Sequence, residues 1–168
     1  MTTAIATATS TGAVGSRAGK YLTFFFGKEE YGIQILRVRE IIGLMPITDV
    51  PRTPDYVRGV VNLRGKVIPI IDLRLRLELA AIDATEETCV IVVQGVGDKM
   101  VGLIVDKVSE VIDIIQDEVV DAASLGGDVN TGYLLGLGKS EGRVRLLLDI
   151  DRVLEGKALP DDADLTVC

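Results

Sequence analysis

One short run in the chain has the residue types that could hold a phosphate group. Gly138-Lys139-Ser140 matches the end of a P-loop, in which backbone amides and a lysine bind nucleotide phosphates. That pattern also needs a glycine five residues before Gly138, where the chain has Tyr133, and a helix after the serine, where a strand is predicted. We interpret the run as a hairpin turn, with a nucleotide-binding protein or enzyme as the alternative function.

A second candidate is a pair of acids near the C-terminus. Asp149 and Asp151 could serve as metal carboxylates, but they stand at the start of a predicted helix over Ile150 to Glu155. Acids at that place commonly accept hydrogen bonds from free backbone N–H groups and complement the helix dipole. We therefore predict Asp149 as the N-cap, with Gly156 just past the helix end.

Two acid–base neighbours could suggest proton transfer. Asp72 lies two residues before Arg74, and Asp106 directly precedes Lys107. No second carboxylate has a spacing that forces a shared site, as acid/base chemistry would require. Both acids are interpreted as turn-capping and surface charges.

Composition excludes several functional classes. The 168 residues contain no histidine, which removes histidine nucleophile systems and imidazole metal ligands. The two cysteines, Cys89 and Cys168, cannot form a zinc site alone and are predicted not to pair, as in a reducing cytoplasm. A net charge of −7 gives little support for nucleic-acid binding, and no apolar run approaches membrane-spanning length. We predict a cytoplasmic binding protein, not an enzyme, without cofactor or metal.

The elements that position these residues are predicted to be short strands. β-branched runs separated by glycine-containing turns indicate hairpins. Pro69 cannot donate to a ladder and predicts an edge position or a bulge, whereas Leu36 to Ile42 is predicted as an irregular strand with Leu36 and Val38 on one face. The remaining predictions are a helical turn at Asp55 to Arg58, a short helix over Leu73 to Leu79, and strands at 21–26, 31–35, 59–63, 67–72, 89–94, 100–115, 133–138 and 143–149.

The chain is predicted to hold one all-β domain between two tails. Residues 1–19 are rich in Thr, Ala, Ser and Gly and cannot bury enough apolar area to offset the entropy of ordering. We predict a disordered N-terminal tail over 1–19, a domain of one barrel or two over 20–157, and an acidic C-terminal tail over 158–168.

Three blocks of the sequence resemble the bacterial chemotaxis coupling (adaptor) proteins of the CheW family. The blocks are Tyr31 to Ile41, Gly59 to Arg74 and Val101 to Val111, and the similarity extends over about Tyr21 to Glu155. This resemblance implies two interlocked five-stranded SH3-like barrels with a short C-terminal helix. It also implies an adaptor that joins the cytoplasmic tip of chemoreceptors to the regulatory domain of the histidine kinase CheA, at receptor clusters on the inner face of the membrane.

The resemblance also implies two binding surfaces. The receptor tip is expected in an apolar groove between the barrels, and the kinase at barrel ends and hairpin tips, here Gly59 and Asn62. For each valine in the groove, ordinary core packing is the alternative. Glu40 and Arg64 are expected either to contact a partner or to form an internal ion pair. The residues expected to bind the receptor are Val38, Glu40, Ile41, Arg64, Val101, Val108 and Val111.

Overall fold

The computed structural model describes residues 17–95, 99–120 and 132–154. These residues form eleven strands and two short helices, as follows. The strands are β1 (Gly19–Phe26), β2 (Glu29–Gln34), β3 (Val38–Gly43), β4 (Val57–Leu63), β5 (Lys66–Asp72), β6 (Cys89–Gln94), β7 (Met100–Val105), β8 (Lys107–Ile114), β9 (Val119–Val120), β10 (Leu134–Ser140) and β11 (Arg143–Leu148). The helices are α1 (Leu73–Arg76) and α2 (Ile150–Leu154), and 3-10 turns occupy Ile35–Arg37 and Gln116–Glu118.

The strands form two sheets that interlock through the chain order. The first sheet has the order β8-β1-β2-β11-β10-β9, and the second has the order β3-β6-β7-β5-β4. The chain enters the first sheet, builds the whole second sheet, and returns to the first at Asp106, between β7 and β8. The predicted two-barrel all-β fold is confirmed. The first sheet has a sixth strand, the two-residue β9, beyond the five that were expected.

Most of the apolar side chains pack into one core that both sheets share. Phe24, Phe26 and Ile33 of the first sheet belong to the same buried cluster as Ile91 and Leu103 of the second. A smaller cluster around Ile68, Ile70, Val90 and Val92 fills the second barrel. Both faces of the second sheet are therefore buried, one inside its own barrel and one against the first barrel.

Arg76 contacts one aromatic ring next to each of the two sheets. The guanidinium carbon of Arg76, in α1, lies 4.8 Å from the ring centres of both Tyr56 and Tyr133. Its Nε donates a hydrogen bond to the carbonyl oxygen of Val153 in α2. Tyr56 precedes the second sheet's β4 and Tyr133 precedes the first sheet's β10, so this cation–π contact reinforces the relative placement of the barrels.

The hairpins predicted from turn signals are present. Arg64 and Gly65 connect β4 to β5 with φ of 53° and 86°, and Glu141 and Gly142 connect β10 to β11 with φ of 54° and 76°. Two successive positive φ angles are those of the two-residue turn that matches strand twist. The second turn is shorter than expected, because Lys139 and Ser140 still belong to β10.

Several local predictions were wrong. Pro69 is at neither an edge nor a bulge: β5 lies inside the sheet, and Val60, opposite Pro69, directs its N–H and C=O to Thr48 instead. Leu36 lies in a 3-10 turn and is highly exposed, so it shares no strand face with Val38. Only Asp55 and Tyr56 of the predicted helical turn form a turn, because Val57 and Arg58 already belong to β4. The long strand predicted over 100–115 is divided at Asp106.

The predicted helices are both present, with α1 ending at Arg76 instead of Leu79. The N-terminal tail prediction lies outside the described residues except for its last three, of which Gly19 already begins β1. The C-terminal tail, the predicted helix end at Gly156 and most of the irregular segment 116–131 also lie outside the described residues.

Candidate functional site

The junction between the two barrels carries exposed aliphatic side chains from one strand of each sheet. Ile41 on β3 stands opposite Ile91, which is fully buried in the shared core, yet Ile41 itself is 45% exposed. Val111 on β8 stands opposite the buried Leu22 and is 49% exposed. Both side chains thus extend the shared core to the surface, one from each barrel.

Cys89 of the second sheet meets Val108 of the first sheet. Cys89 is two residues from Ile91 on the same face of β6, and the Val108 backbone N–H lies within hydrogen-bonding distance of its thiol. Val108 stands opposite Phe24 and packs against the shared core. We name the surface formed by Ile41, Cys89, Val108 and Val111 the junction groove. Burial raises the pKa of the Cys89 thiol, and the backbone hydrogen bond only partly offsets that effect.

Glu40 and Arg64 form an ion pair with each other. The Arg64 guanidinium, on the β4–β5 hairpin turn, donates to the Glu40 carboxylate on β3. Arg64 is largely exposed and Glu40 is about one-third exposed, so the pair lies at the surface. Of the two expected arrangements, the structure shows an internal pair, but one that water and a partner can reach.

The remaining residues of the predicted receptor surface are less accessible. Val38 is half-buried and packs against the shared core. Val101 is only 5% exposed and belongs to that core, so its side chain has the packing role that was the alternative for each valine. We correct the expected surface by leaving Val101 out of it.

Gly59 and Asn62, the residues predicted for kinase binding, have clear local roles. Gly59 has φ of +140°, and a Cβ there would overlap the carbonyl oxygen of Thr48. Only glycine therefore fits where β4 pairs with the Thr48 segment. Asn62 is exposed and its Oδ1 accepts a hydrogen bond of 2.9 Å from the Gly65 N–H, which supports the hairpin turn.

The acids with basic neighbours in sequence have other partners in space. Asp72 caps α1 by accepting from the Arg74 N–H, as predicted, but it is buried instead of lying at the surface. Asp106 pairs with Arg74 and not with its neighbour Lys107. Burial alone would raise the pKa of Asp106, but hydrogen bonds from Arg74 and the Gly27 N–H outweigh it and lower that pKa.

The other candidate residues for chemistry are placed in ordinary structural roles. Gly138, Lys139 and Ser140 pair with β11, so a strand follows the run, as predicted, instead of the helix of a P-loop. Asp149 accepts a long hydrogen bond from the Arg152 N–H at the start of α2, and Asp151 pairs with Arg37. Over the described ranges, no three Cys, Asp or Glu residues come together as metal ligands.

A surface that the sequence did not reveal lies at one end of the second barrel. A cavity of about 330 Å³ opens there between apolar side chains and two arginines. Its residues come from five separate segments of the chain: Leu44 and Ile47, Arg58, Asp72 and Arg74, the connector residues Ala81 to Ala84 with Thr88, and Ile104 with Asp106. An isoleucine in an otherwise polar connector was the one sequence signal that could have indicated it.

Two barrels on a shared core, with exposed aliphatic side chains at their junction, define a binding module of SH3-like barrels. The family model described as the CheW-like domain matches residues 20–158. The chain is 39% identical over 153 residues to chemotaxis protein CheW of Klebsiella aerogenes, covering 90% of this chain and 92% of that one. It is 35% identical over 151 residues to chemotaxis protein CheW of Bacillus subtilis, covering 86% and 94%.

A solved structure agrees with these sequence relatives. The scaffolding protein TtCheW from Thermoanaerobacter tengcongensis superposes with a TM-score of 0.77 at 29% identity, over 85% of this chain and 99% of that one. The chain belongs to the CheW-like family, and its role is that of a chemotaxis adaptor or scaffold. Among the described residues, no helix is long and apolar enough to cross a membrane.

Proposed function

We propose that this protein couples chemoreceptors to the histidine kinase CheA by binding both, and that it performs no chemistry itself. In this role the protein is cytoplasmic and is recruited to receptor clusters at the inner face of the membrane. A coupling protein needs two binding surfaces, because each partner must affect the other through it. The observation that carries the proposal is the junction groove, where Ile41 and Val111 are exposed beside a shared core.

The receptor tip is a helical hairpin by family resemblance, and such a helix buries an aliphatic stripe in a groove. The junction groove supplies the matching aliphatic side chains, Ile41, Val108 and Val111. The exposed Glu40–Arg64 pair, on β3 and the β4–β5 hairpin, can add polar contacts to a bound partner. Gly59 and Asn62 belong to the proposed kinase side, where they maintain the shape of β4 and its turn.

The direct test measures binding of each partner separately. Val111→Asp and Ile41→Asp should each weaken binding of a receptor-tip fragment by about ten-fold or more, because they place a charge in an apolar contact. Val144→Asp is the matched control, since Val144 is 54% exposed on β11 and outside the groove. Binding of the kinase regulatory domain should not change in the groove variants.

Receptor-dependent kinase activation completes the test. It should require the wild-type chain and fail with the groove variants at equal protein concentration. If the wild-type chain binds neither fragment, or if the groove variants activate the kinase normally, the proposed function is wrong. A purified chain that binds ATP in the micromolar range, with binding lost in Lys139→Ala, would instead support the nucleotide-binding alternative.

A further inference from the structure

The two barrels repeat one arrangement of strands. In each barrel a hairpin precedes a short helix, β4–β5 before α1 and β10–β11 before α2. In the second barrel, β5 pairs in parallel with β7, and Ile70 stands opposite Gly102. In the first barrel, β11 pairs in parallel with β2, and Leu147 stands opposite Gly32. These equivalent pairs allow the two barrel interiors to be compared position by position.

The interiors differ two residues before these parallel pairs. In the second barrel the positions hold Ile68, which lies in the cluster inside that barrel, and Met100, which packs against the cluster. The equivalent residues of the first barrel are Arg145 and Glu30, and both side chains are buried. Since the same arrangement of strands folds around apolar side chains, the fold itself does not require a charged pair here.

The buried charged pair is incompletely hydrogen-bonded. Arg145 Nε lies 3.2 Å from a carboxylate oxygen of Glu30. Among the described residues, however, neither Glu30 oxygen finds a hydrogen-bond partner, and neither do Nε and Nη2 of Arg145. Buried polar atoms without hydrogen bonds cost free energy, and more so when they are charged. The first barrel is therefore stabilised when a further donor closes on the Glu30 carboxylate.

Arg143 on β11 is the donor in position to do so. Its Nη1 lies 3.5 Å from the Glu30 carboxylate, and its Nη2 lies 3.8 Å from the carboxylate of Glu110 on β8. Both distances exceed the ordinary length of an N–H···O hydrogen bond. Arg143 and Glu110 are half-exposed, whereas Glu30 is buried. One guanidinium thus stands between an inner and an outer carboxylate and is hydrogen-bonded to neither.

Glu110 connects this cluster to the strand that carries the groove residue Val111. It directly precedes Val111 on β8. Its backbone N–H donates to the hydroxyl of Thr23 on β1 at 3.2 Å, and that hydroxyl donates to its carbonyl oxygen at 3.0 Å. Because the backbone is held in this way, the exposed side chain is the part of Glu110 that can change partner. A partner that binds along β8 therefore has access to this carboxylate.

We propose that Arg143 is a conformational switch operated by the partner in the junction groove: a basic side chain of that partner pairs with Glu110, and Arg143 then closes on Glu30. The partner's group must be basic, because it replaces a guanidinium at a carboxylate. Closure satisfies the buried carboxylate and strengthens the pairing of β2 with β11. The inference rests on the proposed function, in which the receptor tip occupies the groove, and it adds how that binding is transmitted into the first barrel.

Glu110→Gln tests the switch in the full chain without any partner. It removes the charge of the outer carboxylate, so Arg143 should close on Glu30, and amide hydrogen exchange in β2 and β11 should slow by about ten-fold. Mass spectrometry of peptides from these strands measures the rate. Asp113→Asn is the matched control, because Asp113 is an exposed carboxylate on the same strand that pairs with Lys20 instead. Its exchange in β2 and β11 should match wild type, and unchanged exchange in Glu110→Gln overturns the inference.

The second arm adds a saturating receptor-tip fragment. Exchange in β2 and β11 of the wild-type chain should slow by a similar factor, although neither strand carries a residue of the junction groove. Arg143→Gln should bind the fragment with wild-type affinity but show no such slowing, and its receptor-dependent kinase activation should fall. The Arg143 side chain is half-exposed, so this variant should remain folded.

The possible results distinguish this inference from the proposed function. Equal slowing in Arg143→Gln and in the wild-type chain overturns the switch, as does an absence of slowing in a wild-type chain that binds the fragment. Both results leave receptor binding intact. A wild-type chain that binds no receptor fragment refutes the proposed function, and a switch operated by that partner is then refuted with it.

Discussion

Asp106 and Arg74 form a two-contact ion pair at the point where the chain passes from the second sheet back to the first. Arg74 Nη2 lies 2.5 Å from Asp106 Oδ2, and Arg74 Nε lies 2.9 Å from Oδ1. The Gly27 N–H, in the β1–β2 turn, donates to the same carboxylate at 3.1 Å. The Asp106 carboxylate, between β7 and β8, therefore connects this part of the chain to α1 and to the β1–β2 hairpin.

This pair predicts a pH-dependent loss of stability. Because the pKa of Asp106 is lowered in the folded protein, its stabilisation is present above the ordinary value of 3.8 and disappears as pH falls through the lower, folded value. Asp106→Asn should lower the free energy of unfolding by about 1.5–3 kcal/mol at neutral pH. Urea titrations should show a constant difference from wild type down to about pH 5, shrinking below about pH 4. A difference that persists unchanged in strong acid would contradict this assignment.

The Glu40–Arg64 pair predicts a separation of stability from function. Surface pairs contribute about 0–1 kcal/mol, so Arg64→Ala and Glu40→Ala should shift the melting temperature by no more than about 4 °C. Receptor-dependent kinase activation should nevertheless fall, since the family resemblance assigns both residues to the receptor surface. A larger melting shift, or wild-type activation in both variants, would remove these residues from the functional surface.

Gly59 predicts a large structural effect at a position that the family resemblance assigns to kinase binding. Its φ of +140° costs a non-glycine residue about 1–3 kcal/mol, and the overlap with Thr48 adds to that cost. Gly59→Ala should therefore melt well below wild type. Gly65→Ala is the control: its φ is +86° but a Cβ would meet open space, so the cost should be only about 1 kcal/mol. Equal melting temperatures for the two variants would show that the Thr48 contact is unimportant.

Much of the fold could be predicted because its signals are local. The strand Cys89–Gln94 and the Arg64-Gly65 turn follow directly from β-branched runs and a glycine that permits positive φ. The division of the long strand at Asp106 could not be predicted in this way. It depends on Arg74, 32 residues earlier, and the sequence on both sides of Asp106 is equally rich in β-branched residues.

The site was harder to predict, because both faces of the second sheet are buried. Alternation of apolar and polar residues identifies an exposed face only when one face meets water. Val101 and Ile41 are both β-branched residues in predicted strands, yet Val101 faces the shared core while Ile41 lies at its edge. Exposure of such a residue depends on whether its strand lies at the edge of a sheet, as β3 and β8 do. The order of strands in the sheets is set only when the barrels assemble.

The reactivity of the Cys89 thiol can report whether the receptor binds in the junction groove. Partial burial and the raised pKa of its thiol should make it react slowly with a thiol reagent at neutral pH, and quickly after denaturation. Cys168 is still predicted to be the fast-reacting group, without a disulfide to Cys89. Adding the receptor-tip fragment should slow the reaction of Cys89 further, and mass spectrometry of the labelled peptides would measure this. An unchanged rate with saturating fragment would place the receptor elsewhere.

The last prediction concerns the charged pair inside the first barrel. Arg145 is fully buried, and its Nε lies 3.2 Å from the Glu30 carboxylate, which is also buried. Removing one partner leaves the other charge without compensation, so Glu30→Gln and Arg145→Met should each cost about 3–5 kcal/mol in urea denaturation. Arg143 lies 3.5 Å from the same carboxylate, so Arg145→Met should fall at the lower end of that range.

The double variant Glu30→Gln with Arg145→Met removes both charges and should be destabilised by much less than the sum of the single changes, because neither desolvated charge remains. Lys20→Ala is the matched control, since Lys20 pairs with Asp113 at the surface and its loss should be nearly neutral. Additive losses in the double variant would mean that the two side chains stabilise the barrel independently, by packing, and that their charges do not act as a pair.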